Sequence, residues 1–129
     1  MPLRVLLIDD DDDDRLFFTE AFAAVSDPSL LTQYDNADDA LKALLAGHIN
    51  PDVIFLDLNM PRVSGYDFLM AVRNQEVMTR VTVIVLTTAW DEQSRTVTQK
   101  MGARYFVTKP TQPSELEDML KSFLQGLEG

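Results

Sequence analysis

Several apolar runs in this chain end on residues able to do chemistry. "VLLI" (5–8) runs into six consecutive aspartates, Asp9 to Asp14. "IFL" (54–56) runs into Asp57 and then "LNMP", "VIVL" (83–86) into Thr87 and Thr88, and "YFVT" (105–108) into Lys109 and Pro110. Carboxylates gathered in one crevice raise one another's pKa and are costly to hold there. A hard divalent cation removes that cost, and Mg2+ takes oxygen ligands, commonly one or two carboxylates together with phosphate oxygens. Carboxylates, a metal, a hydroxyl and one lysine suit phosphoryl transfer, which chiefly needs the oxygens of the transferred group held and neutralised. An aspartate can itself be the nucleophile and become an acyl phosphate.

Those residues meet only if the elements bearing them share one edge. Candidate strands begin near residues 4, 30, 52, 81 and 104, and helical patterns follow each. "RVLLI", "DVIFL" and "VTVIVL" are almost continuously apolar, as in strands covered on both faces, whereas "LLTQY" alternates like an edge strand. Helical spacing predicts inward faces bearing Phe18, Ala21, Phe22 and Val25; Leu41, Leu44 and Leu45; and Phe68, Leu69 and Val72. Asp27-Pro28 breaks the first helix, Asn36 can cap the second, Gly47 ends it and Gly65 opens the third. The segment 91–101 is only weakly helical, with a thin Val97/Met101 stripe. The last helix is the clearest: Pro113 suits its first position, and Leu116, Met119, Leu120, Phe123, Leu124 and Leu127 form one face. Five β-α units of this kind predict a parallel sheet with helices on both faces. In such a sheet ligands bind beyond the carboxyl ends of the strands, where the strand order reverses. That rule brings Asp9, Asp10, Asp57, Thr87, Thr88 and Lys109 to one rim.

Composition limits the alternatives. At 129 residues, 46% hydrophobic and 25% charged, the chain reads as one globular domain over 1–129 with no output domain. Its net charge of −10 argues against a direct nucleic-acid partner, because phosphate binding wants a basic face. With no cysteine there are no disulfides and no thiolate metal sites. The apolar runs are too short for a bilayer and no signal peptide is evident, so no membrane is expected and a cytoplasmic location is the default.

"LLIDD" (6–10), "IFLDLNMPRVSG" (54–65), "VIVLTTA" (83–89) and "YFVTKP" (105–110) stand in the order and spacing of response regulator receiver domains, and the chain resembles that CheY-like family over essentially its whole length. The resemblance implies a flavodoxin-like α/β fold with strand order 2-1-3-4-5 and five helices. It also implies a two-component signalling switch rather than an enzyme, promoting only its own aspartyl phosphorylation and dephosphorylation. Asp57 would be the phosphoacceptor, charged by a sensor histidine kinase or a histidine phosphotransfer protein. Asp10 and Asp57 would be direct Mg2+ ligands, with Asp9 ligating mainly through water and Asn59 adding a backbone carbonyl. Thr87 would bind the phosphoryl group and Lys109 would pair with the acceptor, while Lys109-Pro110 is usually cis in such domains.

The resemblance further implies a switch in which Thr87 moves toward the phosphate and an aromatic side chain turns inward. That aromatic is Phe106 here, where many relatives carry tyrosine, and Thr88 is bulkier than the alanine of many relatives. Asn59 and Ala89 occupy positions that tune phosphate lifetime. The face made by helix 91–101, strand 104–107 and the last helix would then be remodelled to bind a downstream protein target, with room for a homodimer through the last helix. On this reading Asp9 and Asp10 serve the metal, and Asp11 to Asp14 are the solvated start of a helix, favoured there by its dipole. His48 reads as surface decoration and Trp90 as partly exposed packing beside the site.

Three rivals share some of these residues. A haloacid-dehalogenase-like phosphatase also uses an aspartyl nucleophile after a strand, but its general acid would fall at Asn59, which cannot donate in that role. Asp9, Asp11, Asp13 and Glu20 match calcium-loop positions 1, 3, 5 and 12, although Asp14 replaces the loop glycine and "RVLLI" reads as strand. A flavin binder of the same fold would place phosphate against aspartates that repel it.

Overall fold

The computed structural model describes residues 2–58, 60, 64–88 and 90–128. Asn59 and Ala89 therefore lie outside the described residues. Five parallel strands, β1 (Val5–Ile8), β2 (Leu31–Tyr34), β3 (Val53–Asp57), β4 (Thr82–Thr87) and β5 (Tyr105–Thr108), form one sheet in the order β2-β1-β3-β4-β5. Between and after them run α1 (Asp12–Val25), α2 (Ala37–Leu45), α3 (Gly65–Val72), α4 (Glu92–Lys100) and α5 (Pro113–Glu128). This is the expected flavodoxin-like α/β fold.

The three apolar strands are central because each strand sends alternate side chains to opposite faces and all of those side chains need cover. Leu6, Ile8, Ile54, Leu56, Val83 and Val85 enter a core with α2, α3 and the end of α4. Val5, Leu7, Val53, Phe55, Ile84 and Leu86 enter a second core beneath α1 and α5. On that second face Phe55 meets Phe18 edge-on at 5.1 Å and Phe123 at 6.4 Å, so one ring ties both helices to the sheet. Such pairs add about 0.5–1.5 kcal/mol each beyond their buried area.

The helix starts follow their capping residues. Asp11 accepts from the Asp14 N–H, Asn36 from Asp39 and Asp91 from Ser94, and Ser64 and Asp67 form a reciprocal capping box. Gly47, at φ 77°, lies just beyond the end of α2 in the conformation expected of a helix-terminating glycine.

Three expectations need correction. Leu45 is exposed, and the inward face of α2 is built instead from Ala37, Ala40, Ala43 and Leu44. A 3.6-residue repeat starting at Ala37 and Ala40 reaches Leu44 and turns Leu45 outward. In α4 the stripe is rotated by one residue: Val97 is exposed, while Thr98 is fully buried beside Met101. Thr98 tolerates burial because its hydroxyl donates to the Ser94 carbonyl at 2.8 Å, one turn back. Finally, there is no cis peptide bond among the described residues, so Lys109–Pro110 is trans. The trans form is the intrinsically favoured one by about 0.5–1 kcal/mol. In it Lys109 still gives its N–H to the Thr87 carbonyl at 2.7 Å.

Candidate functional site

The site is built where the central strands stop. Asp9 directly follows β1, Asp57 is the last residue of β3, Thr87 is the last of β4, and Lys109 directly follows β5. Parallel pairing sets β1 beside β3, β3 beside β4 and β4 beside β5, with Asp57 opposite Leu86 and Thr87 opposite Thr108. The same carboxyl-end rim thus receives all four residues.

Asp9 is fixed at each of its polar groups. Its N–H donates to the Tyr34 carbonyl at 3.1 Å and its own carbonyl accepts from the Arg15 guanidinium at 2.8 Å. One carboxylate oxygen accepts from the Asp11 N–H at 3.0 Å, and the other lies 2.9 Å from the Lys109 ammonium. Asp9 and Asp57 are buried, whereas Asp10 is exposed. One carboxylate oxygen from each of Asp9, Asp10 and Asp57 lies within 4.8 Å of the others. This donor set is all hard oxygen, as Mg2+ or Ca2+ prefers.

Lys109 is the cation of this pocket. Its Nζ stands 2.8 Å from Asp14, 2.9 Å from Asp9 and 3.4 Å from Asp57. Burial alone would push the Lys109 pKa down. Hydrogen bonds to Asp14 and Asp9, with the negative charges of Asp9 and Asp57, outweigh that and raise it, so the ammonium stays charged. One ammonium thus faces three carboxylates, those of Asp9, Asp14 and Asp57, with Asp10 clustered beside Asp9 and Asp57, an excess of negative charge that a divalent cation would largely relieve.

Gly65 makes the close approach of α3 to this rim possible. A Cβ built there would stand 2.6 Å from the Asp57 carbonyl oxygen and 2.8 Å from the Leu58 Cα, both main-chain atoms that cannot move aside cheaply. Thr88, one residue beyond β4, is exposed. Phe106 is half-buried against the core that includes α3, and its ring meets half-exposed Trp90 edge-on at 6.3 Å. His48 is exposed, as expected.

Two features of the site did not emerge from the sequence. The first is Asp14, expected to be part of a solvated helix start and found on the lysine. A signal for it existed: Asp14 lies four residues before Phe18 and seven before Ala21, on the line of the buried α1 stripe. The second is a hydroxyl pair joining two helices, Tyr66 of α3 donating to Ser94 of α4 at 2.9 Å. The calcium-loop alternative is overturned, since Asp9 closes a strand, Asp11 caps α1, and Asp13 and Glu20 lie within that helix rather than in one loop.

The fold and this acidic rim define a phosphorylation-activated signalling domain, and comparison with known proteins agrees. The response regulator receiver domain profile matches residues 5–121. The chain is 29% identical over 128 residues to the nitrate/nitrite response regulator protein NarL of Escherichia coli (strain K12), covering 99% of this chain and 56% of NarL. It is 38% identical over 109 residues to a protein-glutamate methylesterase/protein-glutamine glutaminase of Shigella boydii, covering 84% of this chain and 34% of that protein. The chain therefore spans about a third to just over half the length of these curated relatives. Among solved structures, chemotaxis protein CheY4 of Vibrio cholerae superposes with a TM-score of 0.79 at 26% identity, over 95% of this chain and 98% of that one. This chain belongs to the response regulator receiver domain family. The match supports the phosphorylation-activated switch and gives the aspartyl phosphatase alternative no support. No helix among the described residues is long and apolar enough to cross a membrane.

Proposed function

We propose that this domain accepts a phosphoryl group on Asp57 from a histidine kinase or a histidine phosphotransfer protein in the cytoplasm, and that the change is read by a downstream protein. The observation that carries this reading is the pocket itself: the three rim aspartates within reach of one cation, with Lys109 bridging Asp9 and Asp57. Asp10 and Asp57 would hold Mg2+ directly. Both oxygens of Asp9 are engaged by the chain's own groups, which suits a contact through water. Asn59 would add its carbonyl. A bound Mg2+ would neutralise the carboxylates and ligate phosphoryl oxygens.

The Asp57 carboxylate oxygen then attacks the donor phosphorus. A new P–O bond forms as the bond to the donor's imidazole nitrogen breaks, and the imidazole leaves with its electron pair. Lys109 pairs with the anionic oxygens of the group now on Asp57, and the Thr87 hydroxyl, at the end of the neighbouring strand, donates to another. Thr88 borders the approach. Phe106 supplies apolar packing to a switch of the α4/β5/α5 face but, lacking a hydroxyl, no hydrogen bond to a partner. The domain turns over no external substrate beyond its own phosphorylation and dephosphorylation.

The test is intact mass after acetyl phosphate with Mg2+. Wild type gains one phosphoryl group and Asp57→Asn gains none. An equal gain in both would overturn the assignment of Asp57. Backbone NMR shifts with beryllofluoride should move across α4, β5 and the start of α5. Unchanged shifts there would remove that face from the mechanism.

A further inference from the structure

Lys109 does not wait on Asp57. Its shortest ion pair is to Asp14 and its longest to Asp57, 2.8 Å against 3.4 Å. An ammonium has three protons to give, and three carboxylates from two separate parts of the chain share them. Asp14 holds this contact from α1, whereas Asp57 reaches the ammonium from the end of β3. Asp14 and Lys109 are 95 residues apart in sequence, so their contact is a product of the fold and not of local proximity. Its side chain is 38% exposed against 3% for Asp9, so water can solvate Asp14 if the lysine moves off it, whereas Asp9 cannot be released so readily.

We propose that Asp14 is a positioning residue for Lys109, drawing the ammonium toward α1 so that an anion arriving at Asp57 must compete for it. This rests on Asp57 being the phosphoacceptor. In this role Asp14 acts through the lysine it pairs with. Its place in an unbroken aspartate run hides the role, because its neighbours do different things. Asp11 caps the helix, Asp12 pairs with Arg15, and Asp13 is exposed to solvent. The chain thus carries an acidic brake on its own anion site, and that brake lowers the affinity for small phosphodonors.

The test measures phosphorylation by acetyl phosphate with Mg2+ as a function of donor concentration. Asp14→Asn keeps the shape and removes the charge; its half-saturating donor concentration should fall about fivefold, with the maximal rate little changed. Asp13→Asn makes the same charge change one residue away, without contact to the lysine, and should stay close to wild type. Asp14→Glu, which keeps a carboxylate able to reach the lysine, should restore wild-type behaviour. In a Lys109→Ala background the Asp14→Asn effect should disappear, since a double-mutant cycle isolates the pairwise coupling. Equal effects at Asp13 and Asp14, no effect at Asp14, or an effect that persists without the lysine would each overturn the positioning role. If wild type itself gains no phosphoryl group, the acceptor assignment fails and this inference with it; if wild type is phosphorylated and Asp14→Asn matches it, only this inference fails.

Discussion

The main chain of Asp57 passes so close to Gly65 that a single added methyl group would sit 2.6 Å from the Asp57 carbonyl oxygen. The start of α3 and the end of β3 are therefore one unit, and the geometry at Asp57 depends on a residue with no side chain. Gly65→Ala should lower unfolding free energy by about 1–3 kcal/mol, the usual cost of overpacking a closed site. It should also slow phosphorylation more than an equally destabilising Leu124→Ala, made in the core remote from the rim. Urea unfolding and acetyl phosphate kinetics on the two variants check this; equal slowing would make the effect one of stability alone.

Magnesium should stabilise the fold through the carboxylates it relieves. At a free concentration a hundredfold above its dissociation constant, the gain is about 2.7 kcal/mol. Asp10→Asn and Asp57→Asn should each lose most of that gain, because each replaces one of three clustered carboxylates with a neutral amide. Thermal or urea unfolding with and without Mg2+ measures it directly. A full Mg2+ effect in both variants would place the ion elsewhere.

Lys109 gives the fold a definite pH signature. Its folded-state pKa is raised, so its contribution is complete below the unfolded value of about 10.4 and is lost as pH rises through the folded one. Lys109→Met should cost about 2 kcal/mol, the range for hydrogen bonds to charged groups. That penalty should be flat between roughly pH 6 and pH 10 and shrink only above. Urea midpoints of wild type and variant across this range are the measurement; a penalty that faded near neutrality would show that the ammonium is not held as described.

The Tyr66–Ser94 bond restrains α4, a helix of polar and β-branched residues that buries little apolar surface. Tyr66→Phe keeps the ring and removes the hydroxyl, at a cost of about 0.5–1.5 kcal/mol. Amide hydrogen exchange over 92–100 should accelerate about threefold or more, while exchange in α1 and α5 stays unchanged. Uniform acceleration would mean global destabilisation instead of a local latch.

Much of this was legible before any coordinates. Continuous apolar runs announced the central strands because a strand covered on both faces has no polar side to show. The assembly of the site was legible because the fold class places every strand end on one rim, so Asp9, Asp57, Thr87 and Lys109 could be brought together without a distance. What failed was finer than an element. Val97 and Thr98 differ by 100° of helix rotation, and hydrophobicity alone chose the wrong one, because a threonine that bonds its own helix can be buried in place of a valine. Asp14 was hidden by its neighbours' identical charge. The run of aspartates reads as repulsion until α1 is drawn as a helix and one carboxylate falls on its inner line.

Lys109 follows the fifth strand, whereas Asp9 and Asp14 follow the first and Asp57 ends the third, and β3 and β4 lie between the first and fifth strands in the sheet. A polypeptide still emerging from the ribosome, or one nicked before β5, would carry the rim aspartates without the ammonium that pairs with Asp9 and Asp57. The charge balance of the rim is thereby a late product of folding, set only when β5 has paired with β4 and carried its ammonium to the aspartates.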